Sequence, residues 1–592
     1  MRGKKNKRIL RRGLPRMSAC VLAVALALNI CACGSGSADA PEGAGTAADE
    51  QNGAQVQGNA GTEAAESGTE ASGEAADGAQ AVSEPPAYAY EQELNVIEDN
   101  YRNYYEIFVY SFYDSDGDGI GDLNGVTEKL DYVQDMGFNG IWLMPIMQSA
   151  TYHKYDVTDY CSVDREYGTV EDFERLVEEC HKRDIRLIID FVINHTSSSH
   201  PWFTDACAYL RQLPKDAEPD LTECPYVDYY HFSREQVNGD YYAVSGSDWY
   251  YEGVFWSEMP DLNLSSEALR AEIEAAADFW IAMGVDGFRM DAAMHFEEGD
   301  TTFNNEALNW LYSYCRGQNE AFYMVSEVWA AKATIANYYE SGTPSMFNFD
   351  VADVEGKLIK AARGTYKIAT FVQNMADYAQ DYGSKNEAFI DAPFIANHDM
   401  GRVANDLQKD ADDMKMACGL LMMMNGSPFV YYGEEIGMSS SGQKDENKRL
   451  AMIWSDTDTT GMTNGPKDAD QDIQSAFAGV EQQLEDYTSI LNYYKRAVRL
   501  RNENPEIARG EIAIVESLTE GNQAAITKTY DGSIIGIVYN TSDEEAQVSL
   551  SGTALDGMGI RGYLTLNGEE IVLEEGTLRM PAQSICILKA AE

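Results

Sequence analysis

From about residue 96 to residue 506, short apolar stretches alternate with longer stretches in which apolar residues recur every three or four positions. The short stretches are rich in β-branched and aromatic residues, which predicts strands, and the longer ones predict amphipathic helices. Eight strands are predicted, namely Glu106–Tyr113, Gly140–Met147, Arg186–Ile193, Val285–Asp291, Phe322–Val328, Met346–Phe349, Ala388–Ala396 and Pro428–Tyr432. Eight strands that alternate with helices indicate an α/β fold, and we predict a (β/α)8 TIM barrel over residues 96–506.

Two regions break this alternation. Residues 196–264, after the third predicted strand, are rich in Tyr, Asp, Ser and Pro and are too long for an ordinary loop. We therefore predict a small inserted domain there. Residues 507–592 alternate apolar and polar side chains in period two, as in Ile534-Ile-Gly-Ile-Val-Tyr539, which predicts a C-terminal antiparallel β-sandwich.

The N-terminal residues differ from everything that follows. Residues 1–32 carry a basic stretch and then a short apolar run that ends in small residues, which is typical of a secretory signal peptide. Cys33 follows this run and resembles the lipid-modified cysteine of bacterial lipoproteins; simple cleavage and release is the alternative. Residues 33–95 are acidic and rich in Gly, Ala and Glu, so they cannot bury enough apolar surface to fold. We expect a disordered linker in an extracellular, cell-surface protein that is lipid-anchored to the membrane.

The net charge limits the possible partners, and the cysteine content limits the possible disulfides. The chain has 97 acidic and 44 basic residues, which gives a formal net charge of −53. A surface this negative disfavours nucleic acid, whereas a neutral sugar polymer or calcium is compatible with it. The cysteines after Cys33 are odd in number and scattered, so they do not form a disulfide framework, although Cys207 and Cys224 lie in one loop-rich stretch and can pair. We expect a monomer that binds no nucleic acid.

Polar side chains close several of the predicted strands. Catalytic groups of a (β/α)8 barrel lie at the carboxyl ends of its strands, so these side chains should meet at one rim. Four runs end the third, fourth, fifth and seventh predicted strands: Asp190-Phe-Val-Ile-Asn-His195, Gly287-Phe-Arg-Met-Asp291, Ser326-Glu-Val-Trp329 and Ala396-Asn-His-Asp399. Any one carboxylate can simply cap a helix or pair with a lysine. Several at one rim repel one another unless a function or a cation compensates, which favours catalysis.

These four runs resemble, in this order, the signature regions of the α-amylase family of glycoside hydrolases. Three further runs fit the same family: Gly137-Phe-Asn-Gly-Ile-Trp-Leu-Met-Pro145, Tyr152-His-Lys-Tyr-Asp-Val-Thr-Asp-Tyr160 and Gly426-Ser-Pro-Phe-Val-Tyr-Tyr-Gly-Glu-Glu-Ile-Gly437. The matches are collinear over roughly residues 103–505, which makes the resemblance specific. It implies a glycosidase whose substrate is an α-glucan.

By this resemblance Asp291 is the nucleophile, Glu327 is the general acid/base, and Asp399 binds the sugar at the cleavage site. The chemistry agrees, because a retaining hydrolase needs a carboxylate about 5 Å from a second carboxyl group that begins protonated. Arg289, two residues before Asp291 on the same strand face, can keep the nucleophile ionised. The resemblance also assigns sugar contacts, to Tyr155 by stacking and to His153, His195, Arg289 and His398. For either His195 or His398 alone, helix capping is the simpler interpretation.

Two calcium sites are predicted. The first is the loop after the first strand, with ligands Asp114, Asp116, Asp118, Ile120 through its carbonyl group, and Asp122. Its spacing resembles a calcium loop, but Gly125 at the twelfth position excludes an EF-hand, and a solvated acidic turn is the alternative. The second set is Asn194, Asp261 and His295, which matches the calcium site between barrel and inserted domain in amylases.

The run Asp291-Ala-Ala-Met-His295 resembles the amylase version of its motif, since relatives that cut α-1,6 bonds usually have Val-Ile-Asn after the aspartate. The aspartate-rich loop and Met259-Pro-Asp-Leu-Asn263 resemble glucosidases and neopullulanases, so the chain resembles an intermediate group. We expect cleavage of internal α-1,4 bonds, with an α-glucosidase, neopullulanase or 4-α-glucanotransferase as the alternative. A non-catalytic glucan-binding protein would lack a carboxylate, and all three are present. Aromatic residues of the insert, such as Trp256, can be sugar platforms or core.

Overall fold

The computed structural model describes residues 99–470, 473 and 475–590. The predicted signal peptide, Cys33 and the predicted linker lie outside the described residues. Among the helices in the described ranges, none combines the length and the apolar character that crossing a membrane requires.

Seven strands form one parallel sheet, which is the barrel wall. They are Tyr104–Ile107, Gly140–Leu143, Arg186–Phe191, Gly287–Met290, Tyr323–Ser326, Ser345–Met346 and Phe429–Tyr431. Each pairs with the next one along the chain as far as Ser345–Met346, and the first strand also pairs with the last. The sheet thus curves into a ring that lacks one full strand.

The missing position belongs to the predicted strand Ala388–Ala396, which contributes only two isolated bridges, from Ala392 to Phe347 and from Phe394 to Phe429. Pro393 lies between these bridges and has no backbone N–H, so a regular ladder cannot form there. The two bridges nevertheless link both edges of the sheet. The predicted (β/α)8 barrel is therefore confirmed, with one wall position held by an almost unpaired segment.

The first predicted strand is also shorter than expected. Glu106–Tyr113 was an apolar run, but the strand ends at Ile107 and a single helical turn follows at Val109–Phe112. All of these residues except Tyr110 and Tyr113 are buried, so burial continues after the strand ends and periodicity cannot mark the boundary.

Helices surround the barrel, and further helices lie in the longer connections between strands. They are Leu123–Glu128, Leu130–Asp135, Val170–His181, Pro201–Gln212, Glu267–Ala282, Thr301–Gln318, Lys332–Tyr338, Lys357–Ala362, Ile368–Gly383, Val403–Asp406, Ala411–Met422, Val480–Glu485, Ile490–Asn502 and Glu506–Arg509. Two predicted helix starts are present: Thr169 and Asp172 form a reciprocal capping box, and Ser266 caps its helix through Leu269 N.

Two small structures stand above the carboxyl ends of the strands. The first is a hairpin of Met147–Ser149 and Val157–Val163, hereafter the cleft hairpin, whose tip is residues 150–156. The second, within residues 196–264, holds the helix Pro201–Gln212 and a three-stranded sheet with Tyr250–Glu252 at its centre. Cys207 and Cys224 are both buried free thiols there, so the possible disulfide is not formed.

The C-terminal residues form two antiparallel sheets, as predicted. One contains Glu511–Ile514, Gln523–Tyr530, Ser533–Asn540, Met558–Leu564 and Ser584–Ala590, and the other contains Ala546–Ser549, Val572–Glu574 and Thr577–Met580. Apolar side chains of both sheets, such as Val538 and Leu578, share one core. The larger sheet also packs on the barrel, where the buried Lys528 donates hydrogen bonds to Met423 O and Ile507 O.

Candidate active site

The three predicted catalytic carboxylates lie around one cleft at the carboxyl ends of the barrel strands. Asp291 directly follows the strand Gly287–Met290, and Glu327 directly follows Tyr323–Ser326. Asp399 follows the nearly unpaired segment that contains Phe394. The cleft has a volume of about 360 Å³, and all three side chains line it. The arrangement of strands therefore brings together residues that are more than a hundred positions apart in the chain.

Arg289 is the electrostatic centre of the cleft floor. It is fully buried, and its Nη1 donates hydrogen bonds of 2.7 Å to both Asp190 Oδ1 and Asp291 Oδ1. Its Nη2 lies 3.0 Å from Glu327 Oε1. One guanidinium thus contacts three carboxyl groups, and its positive charge offsets the repulsion among them. The guanidinium itself keeps its charge throughout the working pH range.

The backbone just after Asp291 is strained in a way that serves Glu327. Ala292 has a φ of 49°, in the left-handed region that L side chains rarely adopt. This conformation directs the Ala292 N–H at Glu327 Oε2, 3.0 Å away. Strain of this kind persists only where surrounding contacts hold it, and it is common at functional sites. A small side chain at position 292 also leaves room in the cleft that it lines.

Glu327 has the environment of a general acid. Burial raises its pKa, and the Arg289 charge lowers it, but the negative charges of Asp291 and Asp399 raise it further, so the net pKa lies above the ordinary value. A carboxyl group that holds its proton near neutral pH can donate it to a leaving oxygen. The surroundings of Glu327 therefore suit it to the predicted role of proton donor.

His398 and Asp399 form a buried chain of charges. His398 Nε2 lies 3.0 Å from Asp399 Oδ2, and its Nδ1 lies 2.6 Å from Glu106 Oε1. Burial would lower the pKa of His398, but Asp399 and Glu106 raise it to about 10, so the ring is a cation. Burial would likewise raise the pKa of Asp399, but His398 and Arg449 hold it well below its usual range. Asp399 is therefore anionic and fixed in orientation.

Of the predicted sugar contacts, Arg289 and His398 are fully buried and do not line the cleft, whereas three others do. His153, Tyr155 and His195 line it, and the Tyr155 hydroxyl group lies 2.6 Å from His398 Nε2. His195 Nε2 is buried and has no hydrogen-bond partner among the described residues, so it is free to bind a sugar hydroxyl. Burial lowers the pKa of His153 to about 4 and also that of His195, which keeps both rings neutral. Helix capping explains neither of these two histidines.

Several cleft residues were not predicted. Arg449 Nη2 lies 2.8 Å from Asp399 Oδ1, and its Nη1 donates to Asp445 Oδ2 at 2.5 Å. The Tyr152 hydroxyl group donates to the same Asp445 oxygen at 2.6 Å. Asp445 begins the short 3-10 helix Asp445–Lys448 after the last barrel strand, and Arg449 directly follows that helix, which is too short to show a periodic pattern. The sequence does mark Glu106 as a candidate functional residue, because it is a charged residue inside a predicted buried strand.

The first predicted calcium loop brings acidic groups together. Carboxylate oxygens of Asp114, Asp116 and Asp122 lie within 4.8 Å of one another, and the Asp118 carboxylate is not part of that group. Asp118 Oδ1 instead accepts a hydrogen bond of 2.8 Å from Ile120 N. Clustered carboxylate oxygens are the donor set that calcium prefers, so the residues fit the ion.

The second predicted set is only partly assembled. Asn194 Oδ1 is buried without a hydrogen-bond partner among the described residues, and Asn194 Nδ2 lies 3.5 Å from Asp261 Oδ1. Burial raises the pKa of Asp261 to about 7. The His295 ring, in contrast, contacts Glu298 through Nδ1. This second site stays a prediction.

Fold and cleft together define a (β/α)8 glycoside hydrolase that works through carboxyl groups. The sequence profile described as the catalytic domain of alpha amylase matches residues 106–510. The chain belongs to the alpha-amylase family, and the resemblance drawn from the sequence motifs is confirmed.

Similar proteins span more than one specificity. "Alpha-amylase 3" of Dictyoglomus thermophilum is 36% identical over 452 residues, which are 76% of this chain and 84% of that protein. The solved structure of Eubacterium rectale Amy13B is 44% identical, has a TM-score of 0.83, and covers 86% of this chain and 100% of its own. An oligo-1,6-glucosidase of Bacillus cereus is 28% identical and covers 74% of this chain and 90% of its own. Membership of the family therefore does not fix which bond is cut.

Proposed function

We propose that the protein is a retaining α-amylase that cuts internal α-1,4 bonds of starch and malto-oligosaccharides. The observation that carries this proposal is the contact of Asp291 and Glu327 with one buried guanidinium, that of Arg289. Two carboxyl groups on one guanidinium are close together, as a double-displacement glycosidase requires, with a spacing of about 5 Å. A wider separation would instead leave room for a water molecule between them and would favour inversion.

The reaction follows from the charges of the cleft. Glu327 begins protonated and gives its proton to the glycosidic oxygen while Asp291 attacks the anomeric carbon and forms a glycosyl ester. Glu327, now a carboxylate, then takes a proton from water, which attacks the same carbon and releases Asp291. Asp399, oriented by the His398 cation, binds sugar hydroxyl groups, and Tyr155 stacks on the ring, so that binding energy favours the distorted sugar.

Internal cleavage of α-1,4 bonds is supported by the shape and lining of the cleft. Phe255 of the inserted segment and Trp329 beyond Glu327 both line it, and each side chain is about half exposed. Exposed rings beside the catalytic groups suit a glucan chain that continues beyond the cleavage site. The 36% identical relative is named an alpha-amylase, which favours the same assignment, whereas the glucosidase relatives keep the alternative open.

Product analysis tests the proposal. The full chain is incubated with soluble starch and with maltotriose in calcium, beside Asp291→Asn. Rapid loss of iodine staining with mixed oligosaccharides is the expected result. Glucose or longer transfer products from maltotriose, with starch barely changed, would instead establish an α-glucosidase, neopullulanase or 4-α-glucanotransferase. Equal inactivity of both proteins on both substrates would contradict glycosidase action.

We also propose that lipid at Cys33 anchors the chain to the outer face of a membrane, because a basic and apolar leader precedes this cysteine. Expression of the full chain and of Cys33→Ala in a bacterium, followed by separation of membrane and soluble fractions, tests this. The natural sequence should sediment with membranes and Cys33→Ala should not. Equal distribution would favour cleavage and release.

A further inference from the structure

Lys154 occupies an unusual place at the tip of the cleft hairpin. Its neighbours His153 and Tyr155 both line the cleft, whereas the Lys154 side chain is only 3% exposed and does not line it. Its backbone φ is 65°, in the region that L side chains rarely adopt. A strained residue between two sugar-contact residues needs something to hold it in place.

A buried ion pair provides that restraint. Lys154 Nζ lies 3.2 Å from Asp164 Oδ2 and 2.5 Å from Glu166 Oε2. The Asp164 side chain is 2% exposed, and its Oδ2 also accepts hydrogen bonds of 3.0 Å from Ser149 N and Gln148 Nε2. Asp164, which directly follows the second strand of the cleft hairpin, therefore connects Lys154 at the tip to the first strand. Removal of the Lys154 charge leaves the Asp164 carboxylate buried without a cation, which is strongly unfavourable.

The position of Lys154 affects the cleft through its two neighbours in the chain, His153 and Tyr155. Tyr155 N donates to His153 Nδ1 at 3.2 Å, so the proton of the neutral ring stays on Nε2 as a donor. The Tyr155 hydroxyl group lies 2.6 Å from His398 Nε2 and 3.1 Å from Asp190 Oδ2. A shift of the tip therefore moves a hydrogen-bond donor and a stacking ring together.

We propose that Lys154 is a positioning residue for the glycosidase reaction, which it serves by locking the tip of the cleft hairpin through its ion pair with Asp164. This rests on the proposed roles of His153 and Tyr155 as contacts of the sugar at the cleavage site. Those contacts act on the distorted sugar, so displacement of the tip lowers kcat more than it raises KM. A misplacement of about 1 Å can reduce the rate about 100-fold.

Kinetics of full-length variants on soluble starch and maltotriose test this. Lys154→Met and Lys154→Gly should each lower kcat about 10- to 100-fold per folded molecule, with KM within about threefold of the natural value. Glycine adopts the left-handed backbone without strain, so a loss in Lys154→Gly identifies the ammonium group as the cause. Asp164→Asn breaks the same pair while Lys154 keeps Glu166, and it should change kcat in the same direction without abolishing folding.

Lys528→Met is the matched control, because Lys528 is also a fully buried lysine but lies at the interface with the C-terminal sheets. It should lower the melting temperature and leave kcat per folded molecule unchanged. The proposal is overturned if Lys154→Gly keeps the natural kcat, or if Lys528→Met loses as much kcat as Lys154→Met. Inactivity of the natural chain on both substrates would overturn the proposed function first, and this inference with it.

Discussion

His398 Nδ1 lies 2.6 Å from Glu106 Oε1, and neither side chain is accessible to solvent at the centre of the barrel. Burial alone would lower the pKa of His398, but Asp399 and Glu106 together raise it to about 10. The imidazolium therefore joins a buried acid of the first strand to Asp399, the carboxylate proposed to bind the sugar. Its charge fixes Asp399 without using a residue that faces the substrate.

The first prediction concerns Glu106→Gln and the pH dependence of stability. A histidine whose folded pKa is raised above its unfolded value of about 6.5 contributes stability that is complete below pH 6.5. That stability is lost as pH rises through about 10. Glu106→Gln removes one of the two anions that raise this pKa, so its free energy of unfolding should fall less between pH 6.5 and pH 10. Urea unfolding at pH 6.5, 8 and 9.5 measures how steeply the free energy of unfolding falls as the pH rises.

Glu520→Gln is the control for this experiment, because Glu520 is exposed and lies far from the cleft in the C-terminal sheets. It should show the natural pH slope. A Glu106→Gln slope equal to that of the natural chain would mean that Glu106 does not sustain the His398 charge.

The second prediction separates the roles of the two catalytic carboxyl groups. Glu327→Gln cannot protonate a leaving group, so hydrolysis of starch should fall about 10²- to 10⁴-fold. Fluoride leaves maltosyl fluoride without being protonated, so formation of the glycosyl ester from this substrate should be affected much less. Asp291→Asn should fail on both substrates because it lacks the nucleophile. Fluoride release and reducing-sugar assays distinguish the cases, and equal losses of Glu327→Gln on both substrates would contradict its role as the acid.

How much of this site was predictable depends on where each side chain lies in the fold. Asp291, Glu327 and Asp399 follow segments with a strong β pattern, and the carboxyl ends of barrel strands converge, so sequence alone brought them together. The strain at Ala292 was not predictable, since it depends on where the next strand places Glu327. The buried charge of His398 likewise depends on Glu106, which is 292 positions away in the chain.

Arg449 and Tyr152 show more clearly which contacts the sequence pattern cannot predict. Both contact Asp445 although they are about three hundred positions apart in the chain, and Asp445 and Arg449 belong to a single 3-10 turn that is too short to show periodicity. Similarly, the predicted strand Ala388–Ala396 forms only two isolated bridges, because Pro393 has no N–H and interrupts the backbone hydrogen bonds of a regular strand. Pattern analysis finds elements, whereas contacts between irregular segments are set by packing of the whole barrel.

The third prediction concerns the acidic loop after the first strand. Repulsion among Asp114, Asp116 and Asp122 is relieved by a divalent cation, so EDTA should lower the melting temperature and calcium should restore it. Asp114→Asn should lower the melting temperature in calcium and should respond little to EDTA. Asp216→Asn, in the inserted segment away from this loop, should behave as the natural chain. A natural chain whose melting temperature is indifferent to both reagents would identify the loop as a solvated turn.

The last prediction concerns Trp329 as a sugar platform. Its ring stacks on Phe349 with centroids 4.9 Å apart and 21° between planes, so one face is covered while the side chain stays 49% exposed in the cleft. It lies two residues after Glu327, the proposed acid, and lines the same cleft, so we expect it to contact the sugar that leaves. Loss of a stacking contact costs about 1 kcal/mol, so Trp329→Ala should lower kcat/KM on starch about 5- to 10-fold.

Trp256→Ala provides the matched control for this platform. Trp256 is 50% exposed but is not among the residues that line the cleft, so its removal should leave kcat/KM on starch near the natural value. Trp329→Ala should also form fewer transfer products from concentrated maltotriose, because the acceptor sugar binds on the same side as the leaving group. Equal effects of the two variants would show that exposed rings contribute through general affinity for glucan, and not through a subsite beside Glu327.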